Sequence, residues 1–297
     1  EETLWRCMNR YNQIEEKADL GFAPDSSFPL TYAEKGLLQV KLHGPGWEDH
    51  PLQAGRALNV VPDKATYKGD RLEELLPVIE QSGVKYTEEA GAVTVLGLSK
   101  HSKDAAEGVN AIVGLAESLS LIQPHPALLF IADAVGEDAT GAALFGEIKD
   151  EPSGALSFNI ATLSIDEQQS EIGIDIRIPV LADKEALVKR LSEVAASYQL
   201  QYEEFDYVAP LYVPLDSPLV STLMAVYQEE TGDQTPAMSS VGATFARTME
   251  NCVAYGALFP DALQTEHQAN ERAKLDDLYR AMEIYAETIR RLAAKEA

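Results

Sequence analysis

The chain has 297 residues, of which 45% are hydrophobic and 24% charged, and its 48 acidic and 24 basic residues give a formal net charge of −24. The composition is typical of a globular protein, the length is enough for two domains, and the negative charge argues against a nucleic-acid partner. We also expect no membrane partner, because no apolar run approaches the ~20 residues that cross a bilayer.

The cysteine content indicates a reducing compartment. Cys7 and Cys252 are the two cysteines of the chain, too few for a disulfide framework. Unpaired cysteines suit the cytosol, where thiols stay reduced. The sequence therefore predicts a cytoplasmic protein.

The first third of the chain alternates between short helices and strands. The predicted elements are a helix from Leu4 to about Glu16, a loop that carries Asp25, strands over 37–42 and 57–61, a helix over 71–81 and extended segments over 84–89 and 92–96. The strands rest on alternation and on the glycine and proline residues around them, and the helix rests on leucines at helical spacing.

A strand–helix–strand pattern occurs twice. Asp63-Lys64 precede the helix over 71–81, and Asp183-Lys184 precede a second helix of similar character. Each helix leads into an extended segment that carries a tyrosine, Tyr86 or Tyr202. A duplicated unit is the economical interpretation, and coincidence between two amphipathic helices is the alternative.

Two apolar helices and two strands lie between these segments, over 108–122, 127–135, 155–163 and 171–179. In the last strand, four isoleucines share one face, while Asp175 and Arg177 share the other. This pattern predicts a sheet with helices packed on one face and a polar face turned elsewhere.

The remainder of the chain has a different sequence pattern. It predicts a helix over 218–231, a glycine-containing loop over 241–245, a strand near Val253 and a final helix from Arg272. We therefore predict an α/β fold in which residues 36–213 form an inserted α+β domain. Residues 1–35 and 214–297 are then two parts of one interrupted domain.

Acidic residues and a histidine near the two ends of the chain are candidates for metal chemistry. Glu1, Glu2 and His267 each have an ordinary explanation as surface residues, and Asp25 after Pro24 is common in turns. Together they offer the carboxylate and imidazole groups that a hydrolytic zinc centre needs.

Short segments spread over nearly the whole chain carry a family resemblance. They are Glu1–Trp5, Gly21–Asp25 with Phe28-Pro29, Ala33–Gly36, Asn59–Pro62, Gly97 and His101 with Glu107–Ala111, Gly242–Arg247 and Glu266–Glu271. In this order they resemble the di-zinc metallopeptidase superfamily of aminoacylase, carboxypeptidase G and carnosinase. The chain is most similar to the bacterial V-type dipeptidases, which act on β-Ala-Xaa and Xaa-His peptides.

The resemblance implies a zinc-dependent hydrolase that cleaves the amide bond of a small peptide substrate with activated water. Glu1 would be the general base. Glu2 and His267 would bind one zinc ion, and Asp25 would bind the other. Cobalt and manganese are alternative metals for the two sites.

The resemblance describes the inserted domain as a lid made of two ferredoxin-like units. His101 and Asn59 would bind the substrate and stabilise the oxyanion of the tetrahedral intermediate. Arg177 would bind the substrate carboxylate, and Gly242 of the interrupted domain would help to hold that end. Without the resemblance, His101 is a solvated turn residue, Arg177 a surface ion-pair partner of its strand neighbour, and Asn59 a turn or strand-end cap.

The family pattern also contains ligands that we do not find in this chain, namely the histidine of a His-x-Asp motif and an aspartate that bridges both metals. In the family these residues precede the position of Glu1. We therefore expect the N-terminal half of the catalytic domain to be missing and this fragment to be inactive by itself. The duplicated lid favours a monomer.

Two other functions remain open from the sequence. One is an N-acyl-amino-acid deacylase or desuccinylase of the same superfamily, although its lid usually has a single unit. The other is a non-catalytic peptide-binding or interaction protein that lost its metal centre.

Overall fold

The structure is a computed structural model that describes residues 5–48, 51–265 and 269–294. The chain divides into two compact units: a terminal unit of Glu1–Lys35 and Ala209–Ala297, and an inserted unit of Gly36–Val208. Within the described ranges, no helix is both long and apolar enough to span a membrane.

The end of the inserted segment lies five residues earlier than we predicted from sequence, at 208 instead of 213. The reason is a short strand, Leu211–Tyr212, which pairs antiparallel with Thr31–Glu34 of the terminal unit. These residues therefore belong to the terminal unit.

The helices and strands follow one another in this order along the chain. The first part of the terminal unit contains α1 (Arg6–Ile14), β1 (Gly21–Ala23), β2 (Ser26–Ser27) and β3 (Thr31–Glu34). The inserted unit contains β4 (Gly36–Pro45), β5 (Leu52–Ala54), β6 (Lys64–Tyr67), α2 (Leu72–Ser82), β7 (Tyr86–Glu89), β8 (Ala92–Leu96), α3 (Ala111–Ser120), α4 (Pro126–Leu129), α5 (Ala142–Phe145), β9 (Lys149–Asp150), β10 (Gly154–Ala155), β11 (Ser157–Ile165), β12 (Gln169–Ile178), α6 (Lys184–Ser197) and β13 (Gln201–Val208). The second part of the terminal unit contains β14 (Leu211–Tyr212), α7 (Pro218–Thr231), β15 (Met238–Ser240), β16 (Cys252–Ala254), β17 (Ala257–Leu258) and α8 (Leu275–Ala293).

The larger sheet of the inserted unit has the strand order β13-β4-β12-β11-β5, with antiparallel neighbours. If the short edge strand β5 is left out, four strands remain. They lie side by side in the order β13, β4, β12, β11, which are the fourth, first, third and second of these four along the chain. A helix precedes β11, and α6 lies between β12 and β13. This is the strand order of a ferredoxin-like βαββαβ unit.

The smaller sheet has the order β6-β8-β7. Its helix α2 connects β6 to β7, two parallel strands that both pair antiparallel with β8. In the larger sheet, α6 connects β12 to β13 around β4 in the same way. The two strand–helix–strand segments thus share a topology, while a pair of complete ferredoxin-like units stays a prediction.

One face of the larger sheet forms the core of the inserted unit. Along β4, fully buried Leu38, Val40 and Leu42 alternate with half-buried residues. The isoleucines of β12 face the same core, together with apolar residues of α3 and α6 such as Leu115 and Leu191. Each such side chain contributes about 1.5–3 kcal/mol through burial, so the alternation fixes which face the helices cover.

The opposite face is also covered near Asp175 and Arg177, which are 0% and 8% exposed. A 3₁₀ segment, Ser102–Glu107, packs against β11 and β12 there. Arg177 is therefore the ion-pair partner of Asp175, at 2.7 Å, but its expected position on the surface is wrong, because its side chain is buried.

Two predicted elements differ in the structure. Residues 57–61 form a turn with a single bridge between Val60 and His101 instead of a strand. The helix expected over 127–135 is a short α4 followed by a π-helical turn, Phe130–Val135.

The terminal unit is built on a sheet of order β1-β16-β3-β14, with β15 also pairing with β3. Its core is aromatic: the ring of Phe28 lies 5.3 Å from that of Tyr227 and 4.6 Å from that of Phe259. The hydroxyl of Tyr255 donates to the carbonyl of Leu223 on α7 at 2.8 Å. These contacts join α7 to the strands that carry the candidate site.

We predict that Ile174→Ala, in the middle of β12, lowers the free energy of unfolding by about 2–5 kcal/mol. Ile174 is 0% exposed and its truncation leaves a cavity in the core of the inserted unit. Leu181→Ala is the control, since Leu181 is 61% exposed. Urea denaturation followed by circular dichroism measures both, and equal losses would contradict the assignment of this core.

Candidate active site

Asp25 lies just past β1, a strand that pairs in parallel with β16. Ligand sites of α/β sheets commonly lie beyond the carboxyl ends of parallel strands. The side chain is exposed, and its Oδ2 accepts a hydrogen bond of 3.2 Å from the backbone N–H of Phe245. Among the described residues, Oδ1 has no hydrogen-bond partner. The carboxylate is therefore oriented by one bond and keeps one oxygen available for a ligand.

The loop that orients Asp25 is held by a buried ion pair. Arg247 Nε donates to Glu34 Oε2 at 2.8 Å, and the two side chains are 1% and 0% exposed. Glu34 also accepts bonds from the N–H and the hydroxyl of Thr244, at 3.1 and 2.7 Å. The other guanidinium nitrogens of Arg247 donate to the backbone carbonyls of Ala209, Lys35 and Gly242. These charge-assisted bonds fix the backbone of the loop that starts at Gly242. Gly242 itself is exposed.

A cavity of about 900 Å³ opens beside Asp25 within the terminal unit. Thr265 and Glu271 also line this cavity. The hydroxyl of Thr265 accepts a bond from Arg272 N and donates to Arg272 O, at 3.1 and 3.0 Å. The residues on either side of 266–268 are therefore brought to the same cavity as Asp25.

Three of the candidate residues, Glu1, Glu2 and His267, lie outside the described residues, and the structure makes no statement about them. Over the ranges it does describe, no group of three or more histidine, cysteine, aspartate or glutamate side chains is arranged to hold a metal ion. The expected metal roles of these residues stay predictions.

Asn59 and His101 are brought together in the inserted unit. Ser102 N donates to Asn59 O at 2.9 Å, Val61 N donates to Lys100 O at 2.8 Å, and Val60 forms a bridge with His101. The two segments therefore run antiparallel as neighbours, and both candidate side chains are exposed.

Arg177 lies on β12. The neighbouring strand, β11, makes hydrogen bonds to the segments that carry Asn59 and His101. Its guanidinium donates to both carboxylate oxygens of Asp175, at 2.7 and 3.2 Å, and Gln39 Nε2 donates to Asp175 Oδ2 at 3.1 Å. Ser157, paired with Arg177 in the sheet, donates from its hydroxyl to Ser102 O at 2.6 Å. Arg177 is thus a buried, bidentate ion-pair partner beside the segment that carries His101.

The tautomer of His101 follows from its hydrogen bond. Lys103 N donates to His101 Nδ1 at 3.1 Å, so the neutral ring carries its proton on Nε2. Partial burial of the ring lowers the pKa of His101 from its ordinary value, and the nearby positive charge of Arg177 lowers it further. Neutral His101 with an Nε2–H group is a hydrogen-bond donor without a net charge.

Several residues that organise the site were not found from the sequence. Glu34 and Thr244 fix the loop beside Asp25, while Ser102 and Asn159 fix the segments of Asn59 and His101. Glu34 and Thr244 do lie in the family segments Ala33–Gly36 and Gly242–Arg247, and the position of Glu34 at the end of the buried strand β3 is a further signal, because a buried carboxylate requires a partner.

Comparison with known proteins decides the family. A family model described as peptidase family M20/M25/M40 matches residues 22–291. The chain belongs to this family. The M20 family and its dipeptidase-like members confirm the resemblance to zinc peptidases stated from the sequence segments, and they make divalent-metal use a family property.

Individual relatives of this M20-family chain agree with the match. "Putative dipeptidase YtjP" of Bacillus subtilis is 34% identical over 99% of the chain and 68% of its own length. "Putative dipeptidase MW1694" of Staphylococcus aureus is 30% identical over the whole chain and 68% of its own length. The crystal structure of an aminoacylhistidine dipeptidase from Vibrio alginolyticus shares the fold, with a TM-score of 0.51 at 14% identity over 95% of the chain and 66% of that protein. The chain thus spans about two thirds of the length of these relatives.

The buried ion pair generates a prediction for this M20-family site. Arg247→Met should lower the free energy of unfolding by about 3–5 kcal/mol, because it leaves the Glu34 carboxylate buried without a cation. The double variant Glu34→Gln/Arg247→Met should recover part of the loss, since the charge is then gone. Lys17→Met, which removes a solvent-exposed partner of Glu250, is the control. Calorimetric unfolding measures all three, and a single-variant loss no greater than that of Lys17→Met would contradict the role of the pair.

The environment of His101 generates a second prediction. Its pKa in the folded chain should lie below the ordinary 6.5, and in 8 M urea it should return to about that value. The unfolded chain then binds more protons than the folded one just below pH 6.5, so His101 makes the fold less stable as the pH falls through this range. Carbon-13 and nitrogen-15 NMR of the imidazole measures the titration, with His101→Asn to assign the signal. A folded-state midpoint at or above the urea value would contradict it.

Proposed function

We propose that this M20-family chain is the substrate-binding and part of the metal-binding portion of a zinc-dependent dipeptidase. The proposal rests on the family match and on the dipeptidase names of relatives that align over the whole chain. The observation that supports it most is the cavity beside Asp25, because residues on either side of His267 line the same cavity.

The residues of this cavity fit a divalent cation. Asp25 is exposed, is oriented by Phe245 N and has Oδ1 without a partner among the described residues. Carboxylate oxygen and imidazole nitrogen are ordinary ligands of zinc. We propose that Asp25 holds one ion and that Glu2 and His267 hold the other, with zinc as the metal and cobalt and manganese as alternatives.

The remaining roles follow from the chemistry of amide hydrolysis. Bound zinc would polarise the amide carbonyl and make water acidic enough to lose its proton near neutral pH. We assign Glu1 as the base that accepts this proton. His101, neutral and protonated on Nε2, and Asn59 would donate hydrogen bonds to the oxyanion.

Binding of the substrate carboxylate is assigned to Arg177 and to the loop at Gly242. Arg177 already uses Nε and one terminal nitrogen on Asp175, so its charge is held in a fixed orientation. The backbone at Gly242 is fixed through Arg247. Orientation of this kind lowers the entropy lost when the substrate binds.

Full activity requires more ligands than these. A catalytic zinc ion normally has about three protein ligands, and Asp25, Glu2 and His267 are too few for two ions. We therefore propose that the 297-residue chain by itself is inactive and that further residues of the gene product complete the centre. A cytoplasmic location and a monomeric state remain part of the proposal.

We predict that Asp25→Asn weakens zinc binding by at least about 10-fold, because an amide oxygen is a poorer ligand than a carboxylate. Asp19→Asn is the matched control, since Asp19 is exposed on the same segment and does not line the cavity. Equilibrium dialysis with metal analysis measures the affinity of the complete gene product. Equal binding by both variants would remove Asp25 from the site.

The reaction is tested by incubating the zinc-loaded gene product and the 297-residue chain with β-alanyl-histidine and with N-acetyl amino acids. The proposal expects cleavage of the dipeptide by the complete product and none by the chain alone. Cleavage of the acylated substrates only would identify a deacylase. Peptide binding without turnover by a metal-free gene product would identify a binding protein.

A further inference from the structure

The polar face of the larger sheet presents two buried side chains to the segments that carry Asn59 and His101. Ser157 and Asn159 lie two residues apart on β11, so they point to the same face, and they are 7% and 2% exposed. Neither is assigned a role by the family resemblance or by the proposed reaction.

Asn159 makes hydrogen bonds to both segments at once. Its Nδ2 donates to Val60 O and to Ser102 Oγ, each at 2.9 Å. Val60 follows Asn59 directly, and Ser102 follows His101 directly. One amide therefore links the immediate neighbours of both candidate oxyanion donors.

The link is completed by Ser102 and Asn110. Ser102 Oγ donates to Leu58 O at 2.9 Å, which ties the second segment to the first on the other side of Asn59. Asn110 Nδ2 donates to Asn159 Oδ1 at 3.1 Å, so the oxygen of the Asn159 amide is used as well. Asn159 Oδ1 and both Nδ2 hydrogens thus have partners, which fixes the amide in one orientation.

Ser157 on β11 also joins the second segment to the sheet, through its 2.6 Å hydroxyl bond to Ser102 O, whereas the side chain of Asn159 bonds both segments. Residues 57–61 form no strand, and their pairing with 100–102 is one isolated bridge made by two backbone hydrogen bonds. Such short pairing has little stability by itself. The buried amide supplies bonds that water cannot replace, because Asn159 and Ser102 are 2% and 0% exposed.

We propose that Asn159 is a positioning residue that fixes the relative placement of Asn59 and His101. The catalytic part of this inference rests on the proposed function, while the structural part does not. Two donors aimed at one oxyanion must be held to within a fraction of an ångström, and a 1 Å displacement costs about 100-fold in rate. Asn159 performs this task from behind the two segments, without contact to the substrate.

The structural test uses Asn159→Ala and Ser102→Ala in the 297-residue chain, with Ser170→Ala as the control. Ser170 is a buried hydroxyl on β12 with no hydrogen-bond partner among the described residues, so its removal breaks no bond of this kind. We expect the backbone amides of Val61 and Ser102 to exchange with deuterium at least about 10-fold faster in the two test variants and at the wild-type rate in the control.

The titration of His101 provides a second readout that a general loss of stability does not produce. If the segment moves away from the sheet, the imidazole regains water and moves away from Arg177, so its midpoint should rise towards the ordinary value in Asn159→Ala. The charged groups around the ring, namely Arg177, Asp175, Lys103 and Asp104, are the same in all variants. Wild-type exchange rates and an unchanged midpoint in both test variants would overturn the proposal.

The catalytic test measures dipeptide hydrolysis by the zinc-loaded gene product. Asn159→Ala should lower kcat about 100-fold with KM changed by less than about 3-fold, because the lost placement acts on the oxyanion and not on the ground state. An unchanged kcat in a variant whose amides exchange faster would overturn the catalytic role. If the wild-type protein cleaves no dipeptide, the proposed function fails, and the exchange and titration results still decide whether Asn159 positions the two segments.

Discussion

The buried contact between Glu34 and Arg247 is the constraint on which the terminal unit depends. Arg247 holds the carboxylate at the end of β3 and the carbonyls of Lys35 and Ala209, which are the last and first residues of the two parts of this unit. The chain leaves the unit after Lys35 and returns at Ala209, with the whole inserted unit between them. The guanidinium of Arg247 therefore fixes the backbone where the chain leaves the unit and where it returns. The loop that contains Arg247 also orients Asp25, through the N–H of Phe245. A lysine could not replace Arg247, because the geometry uses separate nitrogens of a planar group.

In the inserted unit, uncharged side chains hold the irregular segments in place. Its larger sheet buries isoleucine and leucine under helices on one face, and on the other face it holds two irregular segments through Ser157 and Asn159. Alternation in the sequence correctly predicted β4, β11 and β12 and the face of the isoleucines. It did not predict that the polar face is covered, because a polar residue on a strand has the same spacing whether water or a buried turn is its neighbour.

The site was predictable only in part, for a related reason. Composition and periodicity alone gave no site, since Asp25, Asn59 and His101 are ordinary exposed polar residues. The sequence segments gave the family, and the family match to residues 22–291 confirmed it. The supporting residues Glu34, Thr244, Ser102 and Asn159 were missed because their function lies in hydrogen bonds between residues distant along the chain. The strand predicted over 57–61 is also absent. Backbone hydrogen bonds to 100–102 and a hydrogen bond from the buried amide of Asn159 hold these residues in a turn instead.

The proposed function requires Asp25 and His267, which are far apart along the chain, to hold the two ions of one metal centre. Anomalous diffraction at the zinc absorption edge, from crystals of the complete gene product grown with zinc, would locate both ions. We expect two zinc peaks in the cavity beside Asp25, with an Asp25 oxygen and a His267 nitrogen each about 2.0–2.2 Å from a metal ion. Zinc peaks remote from this cavity, or a cavity without zinc in crystals that bind it elsewhere, would rule out a metal centre beside Asp25.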